Sequence, residues 1–320
     1  MKKIEIHQIH YSNSTREQCD PGFLLLDNTE NPRPDWREYW PIREFLRSRD
    51  LVPDTLYGFL SPKFKGKTHL ASEKVFEFIE NHDADVYLFS PFFDHSAYYI
   101  NVFEQASANH PGILPTLQEA FALFPGGEDI NQLVMSSRDT VFSNFLVARP
   151  AFWEVWHEYC ERVFEIAESQ DGPLAAALNA DAPYVTEDAP AKVFVVERVA
   201  SFLLSKGNWR VKAFNPMELG YGDSFAANFK AELCILDALK IGFQETGARE
   251  YLDRFLEVRN RILNVSQRER DEAIRERDAA RAELTMVRHE HHAVLNTLSW
   301  RITRPLRGFV RVLRGIKMPR

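Results

Sequence analysis

Thirty residues from Asp35 to Phe64, DWREYWPIREFLRSRDLVPDTLYGFLSPKF, constrain the fold more than any other stretch of this chain. Trp36, Tyr39, Trp40, Ile42, Phe45 and Leu46 recur at helical spacing and give its first half a broad apolar face. Its second half, LYGFLSPKF, is a short β-type run closed by a proline and followed by lysines. In open α/β sheets ligands bind beyond the carboxyl ends of the strands. The loop carrying Ser61, Pro62, Lys63, Lys65 and Lys67 is therefore the first candidate site. Packing accounts for Trp36, Trp40 and Phe59 as core residues, but no packing rule gathers three lysines in one loop.

The rest of the chain repeats this alternation. Lys3 to Tyr11 reads as an opening strand ending in the polar His10-Tyr11-Ser12-Asn13. A loop follows, with Pro21-Gly22 and Asn31-Pro32 as turn signals. Asp35 is the expected N-cap of the first helix and Ser72 of the second, SEKVFEFIENH. Val86 to Phe93 is a third strand, entered through Asp83-Ala84-Asp85 and left through Asp94-His95. Two helices follow, AYYINVFEQASANH and TLQEAFALF. Val141 to Val147 reads as a strand, Ala151 to Glu168 as a strongly periodic helix and Ser169 to Pro190 as an irregular loop. Val193 to Leu204 is a helix carrying Glu197-Arg198 on an apolar segment, and Trp209 to Phe214 is a last strand. These elements predict an α/β domain over residues 1–222.

Beyond Gly222 the pattern turns helical, with an amphipathic segment over 223–262. Residues 263–298 carry a heptad echo, RERDEAI then RERDAAR. A seam of Ala280, Leu284, Val287, His291, Val294 and Leu298 follows at alternating spacings of four and three. That is coiled-coil spacing, compatible with a homodimer or with an intramolecular hairpin.

Charge separates the tail from the body. Of the net −7, residues 299–320 contribute +7, from six arginines and a lysine with no acidic residue, leaving −14 on the other 298 residues. An acidic body argues against a nucleic-acid-binding domain, and the tail calls for a local anionic partner. With Trp300, Phe309 and several aliphatics among its arginines, the tail reads as an anchor at an anionic membrane surface. The alternative is a basic helix docked on the acidic body. No run of about eighteen apolar residues spans a membrane. Cys19, Cys160 and Cys234 fit no zinc or disulfide spacing, and the MKK start is no signal peptide, so a cytoplasmic location is expected.

Several of these motifs together resemble a known family. Gln8-x-x-Tyr11, DWREYWPIREFL, YGFLSPKF, DVYLFSP, SNFLVARPAFWEVW and VVERVASFLL are similar to segments of bacterial glycosyltransferase-like proteins encoded with capsule and O-antigen assembly genes. The SWRITRPLR tail is similar to tails on enzymes of surface-polysaccharide synthesis. The resemblance implies a GT-A-type, Rossmann-like nucleotide-sugar domain followed by the helical extension. It also implies transfer of a sugar from a nucleotide-sugar donor to a glycan or lipid-linked acceptor at the inner face of the cytoplasmic membrane.

Such chemistry must hold a diphosphate leaving group and align an acceptor hydroxyl. The first task falls to a divalent metal, Mn2+ or Mg2+, or to lysines and arginines. Asp83 and Asp85 are the candidate metal ligands, although they precede their strand, where the familiar Asp-x-Asp follows one. Without a metal, Lys63, Lys65 and Lys67 are the cations. Gln8, Tyr11, Ser12, Ser61 and Arg198 complete the expected donor-binding set, with Tyr11 placed to stack on a nucleobase. The second task requires a general base if the reaction inverts. Glu197 is the first candidate because a charged pair on an apolar helix must be compensated; a purely structural Glu197–Arg198 pair is the alternative. Asp94 and His95 are the second candidates. No Gly-x-Ser-x-Gly, phosphate-loop or Gly-x-Gly-x-x-Gly signature points to other chemistry. The competing reading is a non-catalytic scaffold or coiled-coil partner on the same fold.

Overall fold

The computed structural model describes residues 2–182, 189–222 and 224–303, in two compact units, Met1–Ile262 and Leu263–Arg320. The first is an α/β unit. Its strands are β1 (Lys3–His10), β2 (Leu24–Asp27), β3 (Thr55–Leu60), β4 (Val86–Leu88), β5 (Leu146–Ala148), β6 (Asp181–Ala182), β7 (Ala189–Pro190) and β8 (Val211–Ala213). Six of them form one sheet in the order β2-β1-β3-β5-β4-β8, while β6 and β7 pair separately. All neighbours in the six-stranded sheet are parallel except those of β5, which runs against both β3 and β4. The carboxyl ends of β1, β3 and β4 therefore lie at one edge, and the reversed β5 starts at that same edge.

Helices alternate with these strands. Those before β5 are α1 (Asn13–Glu17), α2 (Tyr39–Ser48), α3 (Phe64–Thr68), α4 (Ser72–Glu80), α5 (Phe93–Tyr98), α6 (Val102–Asn109) and α7 (Leu114–Phe121). After β5 come α8 (Pro150–Ser169), α9 (Gly172–Asn179), α10 (Ala191–Lys206), α11 (Lys230–Thr246), α12 (Arg249–Asn296) and α13 (Leu298–Ile302).

Strand alternation sorts the core into two layers. Tyr57 and Phe59 of β3 point to the face covered by α2, α8 and α10, where Phe45, Trp153 and Val196 pack. Leu56 and Leu60 point to the other face, against Phe64, Val75 and Ile79 of α3 and α4. With both faces covered, all six residues of β3 are buried, as a parallel strand requires. Gly58 is needed at its centre, because a Cβ there would stand 2.8 Å from Val147 Cγ2 on β5. A third apolar cluster joins Phe93 and Tyr98 of α5 to Leu233 and Leu236 of α11 and to Phe255, Val258 and Ile262 of α12. Residues 224–262 thus belong to the packed body of the first unit.

The structure corrects several local expectations. Asp35 is not the cap of α2; it sits in a 3-10 turn, Pro34–Trp36, where Lys192 reaches it at 2.6 Å. Ser72 is the first residue of α4 and spends its hydroxyl on Asp20 at 2.6 Å. The helix read across AYYINVFEQASANH is broken at Asn101, whose side chain caps α6 by accepting from the N–H groups of Phe103 and Glu104. The lysine loop is a short helix, α3. Residues 183–188 of the expected irregular loop lie outside the described residues.

The second unit is described up to residue 303. From Leu263 onward α12 runs exposed, with Leu284, Met286 and Val287 at 50%, 65% and 55% exposure. Among the described residues no helix is long and apolar enough to cross a membrane. Most of the proposed basic anchor, residues 304–320, lies outside the described residues.

Candidate functional site

Two cavities open at the sheet edge where β1 and β3 end. One, of about 220 Å³, is lined by Trp36, Arg37, Glu38, Ser61, Lys63, Lys67, Ser143, Asn144 and Glu197, among others. The second, of about 270 Å³, is lined by Tyr11, Thr15, Gln18, Asn31, Pro34, Arg37, Glu38, Pro62 and Lys63. Arg37, Glu38 and Lys63 belong to both, so the two form one cleft running from Tyr11 to Glu197. Lys65 lies beside it, in a shallow depression shared with Gln18, Pro62, Lys63 and Lys67.

Each wall of the cleft follows from local chain geometry. Ser61 and Lys63 come directly after β3, where Pro62 stops the ladder before α3 begins. Lys63 and Lys65 are exposed and form no ion pair among the described residues. Lys67 is turned inward; it donates to Ser143 Oγ at 2.8 Å, and burial lowers its ammonium's pKa despite the nearby Glu197 carboxylate. Arg37 takes φ 48° and ψ −133° between the 3-10 turn and α2, an unfavourable backbone for a side-chain-bearing residue. That kink turns Arg37 and Glu38 toward the cleft while Trp36 and Tyr39 stay in the core.

Opposite the lysines, Ser143 and Asn144 both adopt left-handed backbone, with φ 60° and 52°. The turn presents the Ser143 N–H to Glu197 Oε1, 3.0 Å away. Glu197 Oε2 lies 3.7 Å from Arg198 Nη1. The carboxylate side chain remains 31% exposed toward the cavity, whereas Arg198 is 5% exposed.

Arg198 is therefore not a ligand-binding residue, contrary to the sequence expectation. Its guanidinium donates to Val102 O, Phe194 O and Gln105 Oε1 at 3.1, 2.7 and 3.1 Å. Burial lowers its pKa. The contact with Gln105 settles a second question. Since a guanidinium only donates, the Gln105 carbonyl must face Arg198, which leaves its amide N–H to face His95 Nδ1 at 3.0 Å. The neutral His95 ring thus carries its proton on Nε2, 3.6 Å from Asp94 Oδ2. Burial lowers the His95 pKa, against the pull of Asp94.

Asp94 and His95 do not line the cleft. Asp94 is fully buried and accepts from the N–H of Gly222 at 2.8 Å and from the Ser224 hydroxyl. The pair fastens the start of α5 to the segment leading into α11. Gln8 is likewise spent on the scaffold: fully buried, it donates to Ser61 O at 3.1 Å and accepts from Asp20 N–H at 2.7 Å. Ser12 caps α1 through the N–H of Thr15. Tyr11 does line the cleft, where burial and then the neighbouring Glu38 carboxylate raise the pKa of its phenol.

Asp83 and Asp85, the expected metal ligands, are not brought to the cleft. Asp83 and Asp85 precede β4, at the sheet edge opposite the cleft, because β4 runs parallel to β1 and β3. Arg210 Nη1 meets Asp83 at 2.6 Å and its Nη2 meets Asp85 at 2.8 Å, with Arg149 3.5 Å from Asp85. These charge-assisted contacts tie the start of β4 to the residue before β8 and the residue after β5. The carboxylates are matched to guanidinium groups and do not suit a divalent ion. Among the described residues no group of three or more His, Cys, Asp or Glu converges as a metal site.

Composition alone did not mark Arg37, Glu38 or Asn144 as cleft residues. Their signal is conformational, two non-glycine turns with positive φ, and sequence periodicity does not carry it.

No family model, characterised protein or solved structure matches this chain.

Proposed function

We propose that the chain is a glycosyltransferase that binds a nucleotide-sugar donor in the cleft between Tyr11 and Glu197. The observation that carries the reading is Lys63, an exposed cation without an ion-pair partner among the described residues where the two cavities meet, at the carboxyl end of a parallel strand. A ligand spanning both cavities places its middle against Lys63, with Arg37 and Lys65 nearby, as suits the diphosphate of a nucleotide sugar. The base then lies toward Tyr11 and the sugar toward Glu197. The mostly parallel sheet, with its ligand edge formed by β1 and β3, is compatible with the GT-A-type fold implied by the motif resemblance.

For an inverting transfer, Glu197 removes the proton from the acceptor hydroxyl. The hydroxyl oxygen bonds to the anomeric carbon as the bond from that carbon to the phosphate oxygen breaks. The leaving electron pair goes to the diphosphate, whose developing charge faces the cations. Arg198 positions Glu197 and does not touch substrate. A polysaccharide or lipid-linked acceptor, and attachment to the inner membrane face through residues 299–320, remain part of this reading on the strength of the basic tail.

The test is thermal unfolding of the full chain with UDP-, GDP-, CMP- and dTDP-sugars, with and without manganese. A ligand at a hundred times its Kd that binds only the folded state adds about 2.7 kcal/mol. A rise in Tm with one nucleotide class, independent of manganese, is expected. No shift with any of them moves the reading to a non-catalytic scaffold.

A further inference from the structure

We infer that the Asn144 amide reads a hydroxyl of the transferred sugar, so that this chain takes a hydroxyl-bearing hexose and discriminates against the analogue that lacks that hydroxyl. The inference rests on the nucleotide-sugar reading above and specifies the sugar end of the same cleft. Asn144 is 8% exposed and lines the cavity that holds Glu197, Lys67 and Lys63. Its carbonyl Oδ1 is buried without a hydrogen-bond partner among the described residues. Folding gives no reason for that, since a buried polar atom left unpaired costs about 1–3 kcal/mol. The backbone does nothing to relieve it: Asn144 follows Ser143 in a second consecutive left-handed conformation, and such residues persist where the surroundings impose them.

Its neighbours are already spent. The Ser143 N–H is given to Glu197, and Ser143 Oγ accepts from Lys67. Asn144 is left in the cavity wall with an amide whose carbonyl oxygen is buried, and a turn of that amide brings either end to the cavity. A hydroxyl, which both donates and accepts, complements an amide in either orientation. Lys67 Nζ keeps two of its three N–H groups after the bond to Ser143 and can donate to the adjacent hydroxyl of the ring. Glu38 and Glu197 line this same cavity together with Arg37, Lys63 and Lys67, so its charges are mixed. Discrimination therefore rests on the hydroxyl that pairs with the amide and not on the charge of the sugar.

Calorimetric titration of the full chain tests this, using UDP, GDP and dTDP, their glucose and galactose conjugates and singly deoxygenated hexose conjugates. Asn144→Gly is the informative variant, because glycine accepts φ 52° without strain and removes the amide. For the nucleotide that binds wild type, Kd for the hexose conjugate should rise about tenfold in Asn144→Gly while Kd for the free nucleoside diphosphate stays within twofold. One deoxygenated position should cost wild type about tenfold and cost the variant less than twofold. Equal losses for nucleotide and conjugate overturn the assignment. Should Asn144→Gly fail to fold, the wild-type scan decides: no deoxygenated position costing more than twofold overturns it. A wild type that binds the nucleoside diphosphate with no gain from any sugar refutes this inference alone, and one that binds neither refutes the cleft reading with it.

Discussion

Glu197 accepts the backbone N–H of Ser143 at 3.0 Å, which fixes a carboxylate on α10 against the turn that opens β5. The same turn holds Lys67 through Ser143 Oγ at 2.8 Å, so acid and cation share one support. Glu197→Gln preserves size and the oxygen that accepts from Ser143 but removes the proton acceptor. Its Tm should stay within a few degrees of wild type while the transfer rate falls by about 10²–10⁴. Wild-type turnover from a folded Glu197→Gln protein would show that Glu197 is structural.

Lys63→Ala removes an exposed side chain from the junction of the two cavities. Hydrogen bonds to charged groups contribute about 1.5–3 kcal/mol. Nucleoside diphosphate affinity should therefore fall by one to two orders of magnitude in titration calorimetry, with unfolding unchanged. Lys67→Ala should weaken binding and also lower Tm, because this side chain is half-buried and bonded to Ser143.

Arg198→Met tests the buried guanidinium. Removing it strands three acceptors, Val102 O, Phe194 O and Gln105 Oε1, and deprives Glu197 of a nearby positive charge. Breaking a buried charged network costs about 3–5 kcal/mol. Urea unfolding should show a loss of that order, and a neutral result would mean the helix repacks around the methionine.

Asp83→Asn with Asp85→Asn addresses the opposite sheet edge. Because the partners there are largely exposed guanidinium groups, the double variant should lose only a little in Tm. Nucleotide affinity should match wild type with and without manganese. A manganese-dependent loss would return these carboxylates to the site.

His7 gives the chain an acid-sensitive point. It is 7% exposed on β1, against Phe45 and Phe59, and burial followed by the Arg49 charge holds its pKa down at about 4. Glu5, 3.9 Å away and more exposed, does not offset this. A folded value below the unfolded 6.5 means that the contribution to stability is present above pH 6.5 and is lost as pH falls toward 4. His7→Phe should flatten that part of the profile, by up to ~3 kcal/mol between pH 7 and 4. An unchanged slope in urea melts across that range would place the acid sensitivity elsewhere.

Much of the sheet was legible in the sequence because its central strands are apolar runs bounded by breakers. Lys3–His10 and Thr55–Leu60 appear where periodicity and the Ser-Pro stop put them. The edge strand Leu24–Asp27 was hidden within a loop, since FLLLD is too short to show alternation and two of its leucines stay exposed. The pairing of lysines with Glu197 was legible only as two separate signals. What joins them is Ser143, a residue with no chemistry of its own, in a backbone conformation that spacing does not encode. Gln8 and Arg198 were read as donor-binding groups and Asp94 as a candidate base because polarity at strand ends and on apolar helices looks the same whether it faces a substrate or a neighbouring backbone group. Only the hydrogen-bond partners distinguish the two.

The reversed strand β5 also bears on how the site comes into being. Its pairings, Gly58 with Val147 on one side and Leu88 with Leu146 on the other, close long loops of chain. Contacts so distant in sequence form late and slowly. The turn at Ser143-Asn144 can take its place only after β5 has docked between β3 and β4. Nucleotide affinity during refolding should accordingly appear with the final kinetic phase, making the cleft a reporter of completed sheet assembly.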